Sequence, residues 1–94
     1  MSSAKTTTDH KTIQRWVEEH GGRPATVKRT MGEGHTPGLL RIDYPGYGGE
    51  ESLEEISWDD FFAKFEEEEL AFLYQDEGDS RFSKFVDRDR TESD

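Results

Sequence analysis

The same spacing of apolar side chains occurs twice in the chain, and it limits the possible folds more than any other feature. In residues 10–20 the positions i, i+3, i+4 and i+7 are occupied by Ile13, Trp16, Val17 and His20. In residues 58–65 the same positions are occupied by four aromatic residues, Trp58, Phe61, Phe62 and Phe65. Because this spacing gathers side chains on one face of an α-helix, the sequence predicts two amphipathic helices.

Residues that begin and end helices flank both stripes. Asp9 is placed to cap the first helix, and Ser57 with Asp60 three residues later makes a capping-box arrangement at the second. The glycine pair at 21–22 supplies the left-handed residue that often ends a helix. We therefore predict one helix over residues 10–20 and a second helix that begins after Ser57.

Short alternating segments predict the strands. Residues 25–30 and 38–44 alternate and are separated by a loop that contains glycine, which is typical of a hairpin. Residues 70–75, LAFLYQ, predict a buried strand. Residues 81–88 fit either a helix or a strand, and the short connection DEGDS favours a strand that pairs with LAFLYQ.

These elements follow the order α-β-β-α-β-β, which makes two similar halves in succession. We predict an α+β fold in which a four-stranded antiparallel sheet has both helices packed on one face. Residues 45–56 are expected to form a connecting loop, with a turn of helix at residues 52–55. The single domain is expected to span residues 9–88, between disordered tails at residues 1–8 and 89–94.

Composition places the chain near the boundary of disorder. Leu, Ile, Val and Phe number 17 among 94 residues, and the formal net charge is −10. Aromatic residues nevertheless reach 12%, and the apolar residues are patterned rather than scattered. We expect a folded domain with a free energy of unfolding of about 3–5 kcal/mol.

The sequence also predicts where the protein works. It has no cysteine, no apolar run of bilayer length and no hydrophobic block at its N-terminus. These features predict a soluble cytoplasmic protein without disulfides and without membrane contact.

Negative charge is concentrated in the second half of the chain. Residues 1–47 carry a net charge of +2, whereas residues 48–94 carry −12. The densest run follows the aromatic stripe, and it consists of Glu66, Glu67, Glu68 and Glu69. Further carboxylates precede the stripe at Glu50, Glu51, Glu54 and Glu55. Such a run is either a solvated turn at a helix end or a surface that binds a basic partner.

Basic residues of the first half indicate an alternative. Arg23, Lys28, Arg29 and Arg41 belong to the first predicted hairpin, and together they would form a nucleic-acid-binding face. The net charge of −10 opposes phosphate binding at long range. The acidic half would instead imitate a phosphate backbone and occupy a DNA-binding protein. A nucleic-acid-linked role is therefore the alternative to protein binding.

No motif predicts catalysis, a metal or a cofactor. The glycine-containing loop TMGEGHTPG lacks the Lys-Ser or Lys-Thr of a P-loop and the spacing of a dinucleotide fingerprint. The three histidines have no zinc-ligand spacing, and no cysteine is present as a nucleophile. A small-ligand pocket near Arg41, Asp43 and Tyr47 is a third hypothesis.

Three segments together resemble a family of small bacterial proteins. The segments are DHKTIQRWVEE, LLRIDYPGYGG and ISWDDFF with the following LAFLYQ, and the resemblance covers residues 6–89. Members of the family often carry the label 1,4-α-glucan branching enzyme. Branching enzymes are built on a (β/α)₈ barrel of about 250 residues, which a chain of this length cannot form. The resemblance therefore implies no branching activity and no site residue, and it leaves glucan binding as one form of the small-ligand hypothesis.

These observations favour a non-enzymatic protein-interaction module. Its acidic surface, formed by Glu66 to Glu69 with Glu54 and Glu55, is predicted to bind a basic protein partner.

Overall fold

The computed structural model describes residues 4–46, 52–75 and 82–88, and within them the chain forms two α-helices and six strands. In chain order the elements are β1 (Ala4–Thr7), α1 (His10–Glu19), β2 (Arg23–Val27), β3 (Leu40–Asp43), β4 (Leu53–Glu55), α2 (Trp58–Glu67), β5 (Leu70–Gln75) and β6 (Ser83–Asp87). Two short 3₁₀ turns, Lys28–Thr30 and Glu33–His35, lie between β2 and β3. Neither of the two α-helices has the length and apolar character that a membrane crossing requires.

Both predicted helices are present, and both begin at the predicted caps. The backbone N–H of Thr12 donates to Oδ2 of Asp9 at 2.9 Å, and the N–H of Asp60 donates to Oγ of Ser57 at 3.0 Å. Each bond satisfies one of the amides that the first turn of a helix leaves without a partner.

The strands form two antiparallel sheets of three strands, in the orders β3-β2-β4 and β1-β5-β6. The predicted hairpins β2–β3 and β5–β6 both occur, so residues 83–87 form a strand and not a helix. The predicted single four-stranded sheet is wrong. The hairpins lie in separate sheets because a further strand occupies the second edge of β2 and of β5.

The two additional strands were not predicted. Residues 53–55, expected to form a turn of helix, are strand β4, and residues 4–7, expected in a disordered tail, are strand β1. Neither segment shows a clear alternation of apolar and polar residues, and neither contains a buried side chain, because both are edge strands. They form because the second edges of β2 and β5 would otherwise leave a row of backbone donors and acceptors without partners.

The two halves of the chain exchange their first strands. Each half has the order β-α-β-β, but β1 pairs with β5 of the second half and β4 pairs with β2 of the first half. From β1 through β2, adding 48 to a residue number gives its equivalent in the second half, so that the helix cap Asp9 corresponds to Ser57. Thr7 lies opposite Phe72, and its equivalent Glu55 lies opposite Ala25. Each sheet is therefore complete only when both halves are folded.

One core joins both helices and both sheets. Its buried members are Ile13, Trp16, Val17, Leu40, Phe61, Phe62, Phe65, Phe72 and Tyr74. The aromatic stripe of α2 faces inward as predicted, with Phe61 and Phe65 completely buried and Trp58 packed against the cluster. The indole N–H of Trp16 is satisfied by the carbonyl oxygen of Gln75 at 3.0 Å.

The loop between β2 and β3 is held at its end by buried side chains. Strand β2 ends at Val27 rather than at residue 30, and the chain continues into the first 3₁₀ turn. The hydroxyl of the fully buried Thr26 donates to the carbonyl oxygen of Leu39 at 2.8 Å and accepts from the N–H of Gly38 at 2.9 Å. A Cβ at Gly38 would overlap the carbonyl oxygen of Thr30, so this position requires glycine. Leu39 is thereby placed at the start of β3.

Candidate functional site

The predicted acidic surface is divided into two parts by α2. Glu54 and Glu55 lie on β4 before the helix, whereas Glu66 to Glu69 lie at its C-terminal end. The ten residues of α2 separate the two groups by about 15 Å at 1.5 Å per residue. Glu50 and Glu51 lie outside the described residues. The described carboxylates of the predicted surface therefore lie in two groups, one on each side of α2.

Glu66 connects three parts of the fold. Nε2 of His10, the first residue of α1, lies 2.8 Å from Oε2 of Glu66. The Arg88 guanidinium, just after β6, donates to both Glu66 carboxylate oxygens at 3.2 and 3.3 Å and to the Leu70 carbonyl oxygen at 2.8 and 3.0 Å. The ring of His10 also stacks on Phe62, with centroids 4.0 Å apart. Glu66 is therefore a structural residue as well as a surface charge.

An equivalent contact joins the opposite ends of the two helices. The indole N–H of Trp58 donates to Oε2 of Glu18 at 3.2 Å. Trp58 and Glu66 are the equivalents of His10 and Glu18, because each pair differs by 48 positions. In each case the first residue of one helix contacts the ninth residue of the other, so α1 and α2 lie side by side and antiparallel.

The contacts of Glu66 predict how stability depends on pH. The pKa of the Glu66 carboxyl lies below its ordinary value of 4.5, mainly because of its hydrogen bond to His10 and secondly because of its hydrogen bonds to Arg88. A carboxyl with a lowered pKa in the folded state stabilises the fold above its unfolded pKa, and this stabilisation is lost as the pH falls through the folded pKa. We expect the urea midpoint of the wild type to fall more steeply from about pH 5 to 3 than that of Glu66→Gln.

Glu67→Gln is the matched control for this prediction, because it removes a neighbouring carboxylate and leaves Glu66 with its partners. It should retain the pH dependence of the wild type in the same series of urea titrations. Identical pH profiles for Glu66→Gln and the wild type would contradict the assignment.

Two more carboxylates of the predicted surface have cationic partners. Nζ of Lys64 lies 3.2 Å from Oε2 of Glu68, one helical turn away, and Nη1 of Arg23 lies 3.4 Å from Oε1 of Glu55. In each pair the carboxylate is more than half exposed, so each pair contributes little to stability. Glu67, by contrast, is exposed and has no ion pair with any residue that the structure describes.

Glu69 has an unusual backbone conformation. Its φ of 53° lies in the left-handed region, directly after the C-cap of α2. The equivalent residue after α1 is Gly21, with a φ of 77°. Glycine adopts this conformation without the contact between Cβ and carbonyl oxygen that a side chain introduces. The second half therefore ends its helix in the same way with a less suitable residue.

This difference predicts a stabilising substitution. Glu69→Gly should raise the free energy of unfolding by about 0.5–1 kcal/mol, because the relief of the left-handed strain exceeds the added flexibility of the unfolded chain. Gly21→Ala should lower it by a similar amount, because an alanine is strained at a φ of 77°. No other atom lies within 4 Å of a Cβ at that position, so no further clash adds to this cost. Urea unfolding measures both, and a destabilised Glu69→Gly variant would show that the glutamate side chain has a structural role.

The exposed side of α2 forms a continuous acidic face. Asp59 and Glu66 are seven residues apart, as are Asp60 and Glu67, so each pair lies on the same side of the helix. All four are exposed, and Ala63 between them is exposed as well. We call these four carboxylates the acidic face of α2. The helix contains one cation, a lysine whose side chain is only 23% exposed.

The basic residues proposed for nucleic acid are spread over β2, the 3₁₀ turn that follows it, and β3. Arg23 at the start of β2 pairs with Glu55, whereas Lys28 and Arg29 are exposed on the 3₁₀ turn beyond its other end. Five residues of extended chain separate Arg23 from Lys28 by about 17 Å. Arg41 is half-buried on β3, where its guanidinium donates to the carbonyl oxygen of Leu40 at 2.9 Å.

A groove of about 490 Å³ lies between β3 and β6, and a smaller cavity of about 290 Å³ adjoins it. The groove is lined by Leu39, Leu40, Arg41, Ile42, Tyr44, Leu70, Ser83, Lys84 and Phe85. Arg41 of the small-ligand hypothesis lines this groove, whereas Asp43 does not and Tyr47 lies outside the described residues. No sequence motif indicated the groove, because it is formed by strands far apart in the chain.

The described residues contain no group of three histidine, aspartate or glutamate side chains that could hold a metal ion. His20, the last residue of the apolar stripe of α1, has its Nδ1 2.7 Å from the carbonyl oxygen of Trp16 and its ring stacked on the indole at 4.0 Å.

Comparisons with protein-family models, with curated proteins and with solved structures found no match.

Proposed function

We propose that the protein is a non-enzymatic interaction module that binds a basic segment of another protein along the acidic face of α2. The observation that carries this proposal is the repetition of exposed carboxylates on one side of the helix, Asp59 with Glu66 and Asp60 with Glu67. The predicted cytoplasmic location belongs to the same proposal.

The charge distribution supports this surface over the other carboxylates. Like charges one or two turns apart on a helix repel each other, and carboxylates in the last turn also face the negative end of the helix dipole. A basic segment lying along α2 would reduce this repulsion, chiefly at Asp59, Asp60 and Glu67, because Glu66 already has His10 and Arg88 as partners. Glu54 and Glu55 lie on β4, outside the acidic face of α2, and are not part of the proposed contact, although the sequence grouped them with Glu66 to Glu69.

Such a contact has a characteristic strength. Exposed charge pairs contribute little individually and are screened by salt. Several of them together mainly accelerate association and select partners by charge. We therefore expect binding that is weak, fast and strongly dependent on salt concentration.

The test uses a synthetic peptide of about ten residues with alternating lysine and alanine, titrated into the full chain labelled with ¹⁵N. Amide shifts should concentrate on α2, and the apparent affinity should fall several-fold between low and physiological salt. A glutamate-alanine peptide should leave the resonances of α2 unchanged.

Two double variants with the same change in net charge locate the site. Asp60→Asn with Glu67→Gln removes one i, i+7 pair of the acidic face and should weaken binding of the lysine peptide. Glu54→Gln with Glu55→Gln removes two charges at β4 and should leave binding nearly unchanged. Equal weakening by both double variants would mean that only net charge matters, and it would reject α2 as the site.

A further inference from the structure

The groove between β3 and β6 is bounded by two edge strands. β3 is the outer strand of the sheet β3-β2-β4, and β6 is the outer strand of the sheet β1-β5-β6. Within the part of the chain that the structure describes, neither strand has a partner on its second side. Strands with an open edge are the usual site at which an extended peptide is added to a sheet.

The hydrogen-bond pattern shows which backbone groups face outward. The N–H of Val27 donates to the carbonyl oxygen of Leu39 at 3.0 Å, so the alternate residues Leu40 and Ile42 turn their backbone groups away from β2. On the other strand, the N–H of Gln75 donates to the carbonyl oxygen of Phe82 at 3.2 Å. Ser83 and Phe85 therefore turn their backbone groups away from β5.

Large apolar side chains mark both strands at the same position. Leu39 is 50% exposed and Phe82 is 49% exposed, and they are the large hydrophobic residues that the described part of the chain leaves most open to solvent. Each directly precedes an edge strand of the groove. The floor contains Ile42 and Phe85, which are partly buried against the core. An occupant with apolar side chains would thus contact both strands.

The described lining of the groove is basic, in contrast to the net charge of the protein. Among the residues that the structure describes, Arg41 and Lys84 line the groove and no carboxylate does, although the chain has 22 acidic residues against 12 basic ones. An occupant with a carboxylate is therefore favoured here, and the basic segment proposed for α2 is disfavoured.

We propose that this groove binds an extended acidic peptide segment of a partner protein, with apolar residues at alternate positions, as an added strand on β6. β6 is favoured over β3 as the pairing edge because the Arg41 guanidinium already occupies the carbonyl oxygen of Leu40. The backbone of the peptide pairs with Ser83 and Phe85, its apolar side chains contact the floor, and its carboxylates meet Arg41 and Lys84. This site goes beyond the acidic face of α2 and does not depend on it.

The probe is an acetylated and amidated heptapeptide of alternating valine and glutamate, compared with its valine-lysine counterpart. Titration of the glutamate peptide into the full chain should shift the amide resonances of Ser83 to Phe85 and of the residues of β3, whereas the lysine peptide should leave these resonances unchanged. Larger shifts of β6 with the lysine peptide, or glutamate-peptide shifts confined to α2, would overturn the proposal.

Two variants test the pairing and the charge separately. Ser83→Pro removes an outward N–H without removing a bond to β5, so it should weaken binding about three- to tenfold while the fold is retained. Lys84→Glu should weaken binding of the glutamate peptide about two- to fivefold and improve binding of the lysine peptide. Circular dichroism confirms that each variant is folded.

Unchanged affinity in folded Ser83→Pro would reject the added strand. Amide shifts of β6 that grow with protein concentration in the absence of peptide would identify a second copy of the chain as the occupant, which also overturns the proposal.

Discussion

Phe61→Ala should leave a large fraction of the molecules unfolded at 25 °C. Phe61 is completely buried, and its ring lies 5.2 Å from that of Trp58, 5.3 Å from that of Phe62 and 5.7 Å from that of Phe85. Truncation of a buried phenylalanine to alanine costs about 3–5 kcal/mol. A core of this size leaves about the same amount, 3–5 kcal/mol, as the total stability of the domain.

Far-UV circular dichroism and urea titration measure this effect. Phe82→Ala is the matched control, because the same side chain is removed where it is 49% exposed, and it should change the free energy of unfolding by less than about 0.5 kcal/mol. A folded Phe61→Ala variant with the urea midpoint of the wild type would contradict the packing described for α2.

Lys5→Pro should have the second-largest effect. The backbone N–H and C=O groups of β5 point alternately to its two neighbouring strands. Those of Ala71, Leu73 and Gln75 point to β6. The backbone groups of Tyr74 therefore point to β1, where they exchange hydrogen bonds with Lys5. Proline at this position removes the donor and leaves a backbone acceptor of β5 without its partner, which costs about 1–3 kcal/mol.

Two controls isolate the backbone contribution. Thr6→Pro places proline where the N–H faces away from β5, and proline there also favours an extended conformation at the preceding residue. Lys5→Ala removes the side chain and keeps the N–H. Both should be clearly more stable than Lys5→Pro in urea, and three equal losses would mean that β1 does not complete the sheet.

The elements with a strong local pattern were predictable from the sequence. The apolar stripe of each helix, the caps Asp9 and Ser57 and both hairpins follow from spacing and turn residues within about ten positions. β1 and β4 were not predictable in this way, because three or four residues with no buried side chain are too few to show an alternation. They form strands only because a central strand from the other half offers an open edge, which is a property of the whole fold.

The candidate surfaces likewise differ in how far the sequence predicts them. The glutamates at the C-terminal end of α2 were visible as a run, but the role of Glu66 depends on His10 and Arg88, which are 56 and 22 positions away. The acidic face of α2 was open to prediction from the seven-residue spacing of Asp59 with Glu66. The groove was not, because it needs the relative placement of β3 and β6.

The exchange of first strands predicts that the two halves fold as one cooperative unit, and each half contains one tryptophan that reports on it. Trp16→Phe leaves Trp58 as the probe of the second half, and Trp58→Phe leaves Trp16 as the probe of the first half. In urea, the fluorescence transition of each variant should coincide with its far-UV circular dichroism transition in midpoint and slope. Separate transitions, with one half losing its fluorescence signal while half of the circular dichroism remains, would contradict a fold in which each sheet is built from both halves.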